Sequence, residues 1–149
     1  MRPLLVATAL LSTFASGVPP RPSAQATAAA PAASDWRDRA LSPGDWRYAA
    51  GTARFGTSSE ALVMLQCDRA GQAVWLNLRG GSGAMMVRTT STTRTLAPAR
   101  DGMVRLDPRD PLLDAMGYSR GRVAIEQGAA MAIVPAWAEI LRVVEDCRA

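Results

Sequence analysis

The sequence predicts a β-rich α+β domain: a small antiparallel sandwich or curled sheet closed by a C-terminal helix. Three observations carry this. Short apolar runs recur between turns marked by Gly, Pro and Asp from Gly44 to Val134. Within Ala61–Cys67 and Ala73–Arg79, apolar residues fall on every second position, the period of a half-buried strand. The end of the chain instead shows helical spacing, with Trp137, Ile140, Leu141, Val144 and Cys147 on one stripe.

Taken in order, Ser42-Pro43-Gly44 is a turn and Gly44–Tyr48 a first short strand. Ala53–Phe55 is a second, ending at Gly56. Ala61–Cys67 and Ala73–Arg79 form a hairpin across Asp68–Gly71, with Val63, Leu65 and Cys67 facing the same core as Val74, Leu76 and Leu78. Gly80–Gly83 reads as the next hairpin turn. A phosphate-binding loop is the other reading of these glycines, but the Gly-Lys-Ser/Thr ending is missing and a strand, not a helix, follows. Ala84–Leu96, rich in β-branched Thr, is one long polar strand. Met103–Leu106 is a short strand. Asp110 is placed as N-cap of a brief helix with Pro111 at its first position, running through Leu112, Leu113 and Met116 to Gly117. Arg122–Gln127 and Ala130–Val134 pair across Gly128-Ala129, and the closing helix starts near Pro135 or Ala136.

The N-terminus has the layout of an export signal. Met1-Arg2 precedes the apolar stretch Leu4–Phe14, and Ala24-Gln25-Ala26 is a small-x-small site with cleavage expected after Ala26. Val18-Pro19-Pro20 interrupts the helix before it reaches the roughly 20 residues of a membrane span. Residues 1–26 are thus expected to be a signal peptide, 27–34 a disordered spacer, and 35–149 a single exported globular domain. The protein is expected in the periplasm or secreted, with no membrane span after cleavage.

Export gives the two cysteines their meaning. Cys67 and Cys147 stand 80 positions apart and both face inward by their own periodicities. In an oxidising compartment they are expected to form one disulfide that staples the closing helix to the sheet.

Composition excludes several functions. There is no His, so Ser-His-Asp and Cys-His catalytic arrangements cannot be built, and zinc sites of His and Cys are lost once the thiols are oxidised. No D-x-D-x-D-G calcium loop occurs. Neither a metal nor a cofactor is expected. Arg2 and Arg21 leave with the leader, so the 17 basic residues, all Arg, shrink to a small surplus over the 13 acidic ones. The signs alternate along the chain rather than gathering in a basic stripe, so nucleic acid is not an expected partner.

Two side-chain groups stand out. Trp75, Asn77 and Arg79 share the outer side of one strand, and Arg88 and Arg94 line a similar row on the long strand. On one sheet face these would suit a cell-envelope protein or a glycan. The plainer reading puts Trp75 under a loop or the terminal helix, with the arginines solvated. Arg120, Arg122, Arg142, Glu145 and Asp146 form a candidate ion-pair cluster at the helix end, structural rather than catalytic. Asp107, Asp110 and Asp114 are carboxylates by which a hydrolase could act, but capping explains them and no spacing singles out a pair.

The ending SRGRVAIEQGAAMAIVPAWAEILRVVEDCR, with the upstream ALVMLQCDRAGQAVWLNLR, resembles a group of small uncharacterised exported proteins of alphaproteobacteria over about half of the mature chain. More distantly, a Cys at a strand end, a β-rich middle and a closing helix resemble the invasion-associated locus B family. These resemblances imply an exported, β-rich protein and carry no catalytic residue onto this chain. The expected function is that of an exported binding or accessory protein rather than an enzyme, with an inhibitor of a cell-envelope hydrolase as alternative and a carboxylate-dependent hydrolase as a remoter one.

Overall fold

The computed structural model describes residues 35–149. The signal peptide and spacer inferred for residues 1–34 lie outside them. The described elements run β1 (Asp45–Ala49), β2 (Thr52–Gly56), β3 (Ala61–Asp68), β4 (Ala73–Leu78), β5 (Met85–Arg88), β6 (Thr93–Leu96), β7 (Val104–Leu106), α1 (Pro111–Gly117), β8 (Arg122–Gln127), β9 (Ala130–Pro135) and α2 (Ala138–Arg148). They build two antiparallel sheets, ordered β1-β2-β3-β4-β7 and β6-β5-β8-β9, with α2 packed on β3 and on α1. The fold is a curled sandwich closed by its C-terminal helix, as the sequence predicts.

Strand parity decides which side chains fill the core. Phe55, Val63, Leu65, Val74, Leu76 and Leu78 come from one sheet, and Met85, Val87, Val123, Ile125 and Val134 from the other; all are buried. The second arm of the predicted hairpin is thus oriented as expected, and so is the first. Trp46 joins the sheets: its ring lies 5.4 Å from that of Phe55, and its indole N–H donates to the Pro135 carbonyl at 2.7 Å. At the strand entry, Gly44 (φ +125°) lies so close to Gly56 that a Cβ would overlap the latter's backbone. Gly56 itself (φ +155°) accommodates the register shift between β2 and β3.

α1 begins as its sequence dictates. The Asp110 side chain accepts from the Leu112 N–H at 2.8 Å, Pro111 opens the helix, and Leu112, Leu113 and Met116 are buried.

Three expectations need correction. The long strand over 84–96 is two strands, β5 and β6, because the Thr89 hydroxyl accepts from the Ser91 and Thr92 N–H groups and folds residues 89–92 into a turn. Gly80–Gly83 is not a hairpin turn: it carries the chain from β4 in one sheet to β5 in the other, since β4 pairs only with β3 and β7. The last helix starts at Ala138, because Pro135 still belongs to β9, where Arg122 is its partner. With that start, Trp137 caps the helix at 47 % exposure and Val143 takes its place among the buried residues beside Ile140 and Val144.

Candidate functional site

The side of the five-stranded sheet that faces away from the core carries the strongest concentration of chemistry-bearing side chains. Each strand contributes the residues of opposite parity to its buried ones. Cross-strand register then aligns them in rows: Arg47, Arg54, Met64 and Asn77 form one, and Thr52, Gln66, Trp75 and Arg105 the next. Arg47, Arg54, Gln66 and Arg105 are exposed, while Met64, Trp75 and Asn77 are partly buried.

The β4–β7 end of this face is internally satisfied. The Arg100 guanidinium, from the loop before β7, lies 4.4 Å from the Trp75 ring centroid. Arg105 donates to the carbonyls of Gly71 at 2.8 Å and Gln72 at 3.3 Å. The Gly71 N–H donates to Asp68, which is the main reason that carboxyl sits below its ordinary range, with smaller help from the Trp75 side chain and from Arg100 and Arg105. The Trp75 indole N–H is near enough to Asp68 to contribute, yet it is buried and makes no hydrogen bond of normal geometry. Trp75 thus lies under a loop residue, and its ring is not free to stack on a sugar.

The β1–β2 end is different. Arg47 and Arg54 are direct cross-strand partners, and neither pairs with a carboxylate among the described residues. Arg47 donates to the Thr57 carbonyl at 2.9 Å. With Thr57, Ser58, Ser59 and Glu60 they line an open depression of about 520 Å³.

The two rows inferred from sequence do not share a face. Trp75, Asn77 and Arg79 belong to β4 and its end, while Arg88 and Arg94 lie on β5 and β6 of the other sheet. The crossover at Gly80–Gly83 separates them. Arg79 pairs with Glu60, Arg88 lies 3.2 Å from Glu126, and Arg94 pairs with Asp110, the α1 cap. These three arginines serve local ion pairs.

The cluster inferred at the helix end does not assemble as a unit. Arg120 and Arg122 sit at the start of β8, where the Arg120 N–H donates to the Thr90 hydroxyl and Arg122 to the Arg39 carbonyl. Arg142 lies over the Tyr48 ring at 5.1 Å, and Glu145 makes no ion pair among the described residues. Asp146 alone is central: it accepts from the Tyr48 hydroxyl and lies 3.8 Å from Arg69, whose Nε donates to the Asp146 carbonyl at 2.8 Å. The partners of the helix end come from β1, the turn after β3 and, through Arg148, α1 and the segment before it, which helical periodicity cannot identify.

Beside this group, Cys67 and Cys147 are bonded, with Cα atoms 5.4 Å apart. The staple from β3 to the last turn of α2 is therefore present, and it fits a protein of an oxidising compartment. No helix among the described residues is long and apolar enough to cross a membrane.

The carboxylates weighed for hydrolysis have structural partners. Asp110 caps α1 and binds Arg94, Asp114 forms a two-point pair with Arg148 at 3.0 and 3.1 Å, and Asp107 accepts from the Arg109 N–H.

Sequence reasoning missed Arg47, Arg54, Met64, Gln66, Arg100 and Arg105. For all but Arg100 the signal was available, since each stands at the parity opposite a buried neighbour; Arg100 reaches the face from a loop. Against this geometry, comparison with known proteins adds no relative: no family model, no curated protein and no solved structure matches the chain.

Proposed function

We propose that this chain is an exported binding or accessory protein, without catalysis of its own, that docks a cell-envelope protein on the outer face of its five-stranded sheet. The observation that carries the reading is the adjacent pair Arg47 and Arg54 on an exposed sheet surface, neither in an ion pair among the described residues. Asp45 and Glu60 lie near the pair, but neither forms an ion pair with it, and Glu60 is engaged by Arg79. Capping of Trp75 by Arg100 favours a protein over a glycan, because carbohydrate recognition relies on a free aromatic face. The disulfide supports export, and the leader-like residues 1–26 agree with it.

The test is capture from cell-envelope extracts with the mature protein, with Arg47→Glu/Arg54→Glu, and with Arg120→Glu/Arg122→Glu on the other sheet as control. A partner lost only with the first variant is the expected result. A partner retained by the first and lost with the control removes this face as the docking surface.

The inhibitor reading keeps one specific support. The buried Gln127 amide donates to the Gly83 carbonyl at 2.9 Å and the Gly102 carbonyl at 2.7 Å, so the Arg79–Gly83 loop is tied to the core while Gly80 and Gly83 face open space. A loop held this way suits insertion into a cleft. Panels of lysozymes and proteases test it, and a blank across both ends it.

A further inference from the structure

The geometry points to an oxyanion subsite formed by Arg47 and Arg54 beside the β2–β3 loop, and we propose that it takes the side-chain carboxylate of an acidic segment on a partner protein. The inference rests on the sheet face being the docking surface, and it names the chemistry of one point on that surface.

Direct cross-strand partners have Cβ atoms about 5 Å apart, and like charges placed there repel. Six guanidinium groups among the described residues have acidic partners: Arg37 with Asp35, Arg69 with Asp146, Arg79 with Glu60, Arg88 with Glu126, Arg94 with Asp110 and Arg148 with Asp114. The remaining arginines, Arg109 and Arg120 among them, also lack a salt bridge; what sets Arg47 and Arg54 apart is that they are direct cross-strand partners lining one depression. Arg47 spends one nitrogen on the Thr57 carbonyl, which fixes its direction and leaves its other N–H groups unused. The Arg54 guanidinium makes no hydrogen bond among the described residues. Two guanidinium groups lining one depression can provide donors for both oxygens of a carboxylate.

The nearby acids do not neutralise the pair. Glu60, on the rim, is held by Arg79, and Asp45, on the same strand face, forms no ion pair with either arginine. Residues 1–34 contain neither Asp nor Glu, so the part of this chain outside the described residues has no acidic side chain to offer. The occupant of the proposal is an acidic residue of a second molecule. The hydroxyls of Ser58 and Ser59, both exposed on the same rim, add donors that a carboxylate accepts.

The experiment is titration of a labelled decaglutamate peptide into the disulfide-bonded mature protein, by fluorescence anisotropy at low salt and at physiological salt. Arg47→Gln/Arg54→Gln is expected to weaken binding by about tenfold to a hundredfold, the loss of one or two charge-assisted hydrogen bonds. Arg100→Gln/Arg105→Gln is expected to change it less than about threefold. Equal loss of melting temperature is not expected for the first variant: without ligand it melts close to the wild type, because the repulsion removed offsets the lost bond to the Thr57 carbonyl. Decaglutamate binding that survives the first variant but fails with the second overturns the subsite while leaving the sheet face as the docking surface. Preference for oligogalacturonate or for inorganic phosphate overturns the protein carboxylate as ligand. A dimer in sedimentation that dissociates in Arg47→Gln/Arg54→Gln without peptide overturns the external partner in favour of a second copy. Absence of binding by every probe at low salt overturns the subsite, and the sheet-face reading then stands or falls on the extract capture alone.

Discussion

Replacing both cysteines, Cys67→Ala/Cys147→Ala, removes a cross-link across 80 positions of sequence. For a closed loop of that length the chain-entropy relation gives about 4.5 kcal/mol at 25 °C, all of it exerted through the unfolded state. The folded state need not change much, because α2 keeps other anchors. Ile140, Val143 and Val144 stay buried, and Asp146 still meets Tyr48 and Arg69. Domains of this size have a total stability of about 5–15 kcal/mol, so the loss is a large share of it. Equilibrium urea unfolding followed by circular dichroism measures it, and the same protein reduced with dithiothreitol supplies an independent comparison. Both are expected to lie about 3–5 kcal/mol below the oxidised wild type, with a steeper denaturant slope as the released chain expands. A loss below about 1 kcal/mol would refute the reasoning. So would free thiols in the mature protein as isolated from its export compartment.

Asp110→Ala removes both the cap of α1 and the partner of Arg94, and is expected to cost about 1–2 kcal/mol in chemical denaturation. Gln127→Ala frees the Gly83 and Gly102 carbonyls together; amide exchange in residues 80–84 and 100–103 is expected to accelerate, and stability to fall by about 1–3 kcal/mol. The Asp68 carboxyl, held below its ordinary value of 3.8 chiefly by the Gly71 N–H, has a lower pKa folded than unfolded. Its contribution is therefore present above pH about 4 and is lost as pH falls through the folded value. A carbon-detected titration of the Asp68 side chain checks the direction, and a midpoint above 3.8 contradicts it.

The parts of the fold that could be read from the chain are those set by local rules. Alternation placed Val63, Leu65, Val74, Leu76 and Leu78 in the core, and Asp110-Pro111 marked the start of α1. Parity and helical period together gave Cys67 and Cys147 their common direction. What escaped depends on non-local competition. The Thr-rich stretch suits a strand at each residue, yet the Thr89 hydroxyl offers the backbone a turn that propensity alone does not reveal. The crossover at Gly80–Gly83 looks like a hairpin turn until β7 claims the edge of β4. That pairing moved Arg88 and Arg94 onto the second sheet and dissolved the face inferred from them. Trp137 fits the helical stripe by spacing, but Pro135 remains in β9 and the helix opens too late to bury it. On the candidate site, parity could have found Arg47 and Arg54, because Trp46, Ala53 and Phe55 fix the inward side; their juxtaposition required the β1–β2 register.

Amide chemical-shift mapping of the ¹⁵N-labelled mature protein, titrated with decaglutamate, tests the docking face most directly. The account predicts shifts confined to β1, β2 and the β2–β3 loop, led by Arg47, Arg54 and residues 57–60. Shifts led instead by Arg88 and Arg122 on the four-stranded sheet and by Arg120 just before it, or none at low salt, would contradict it.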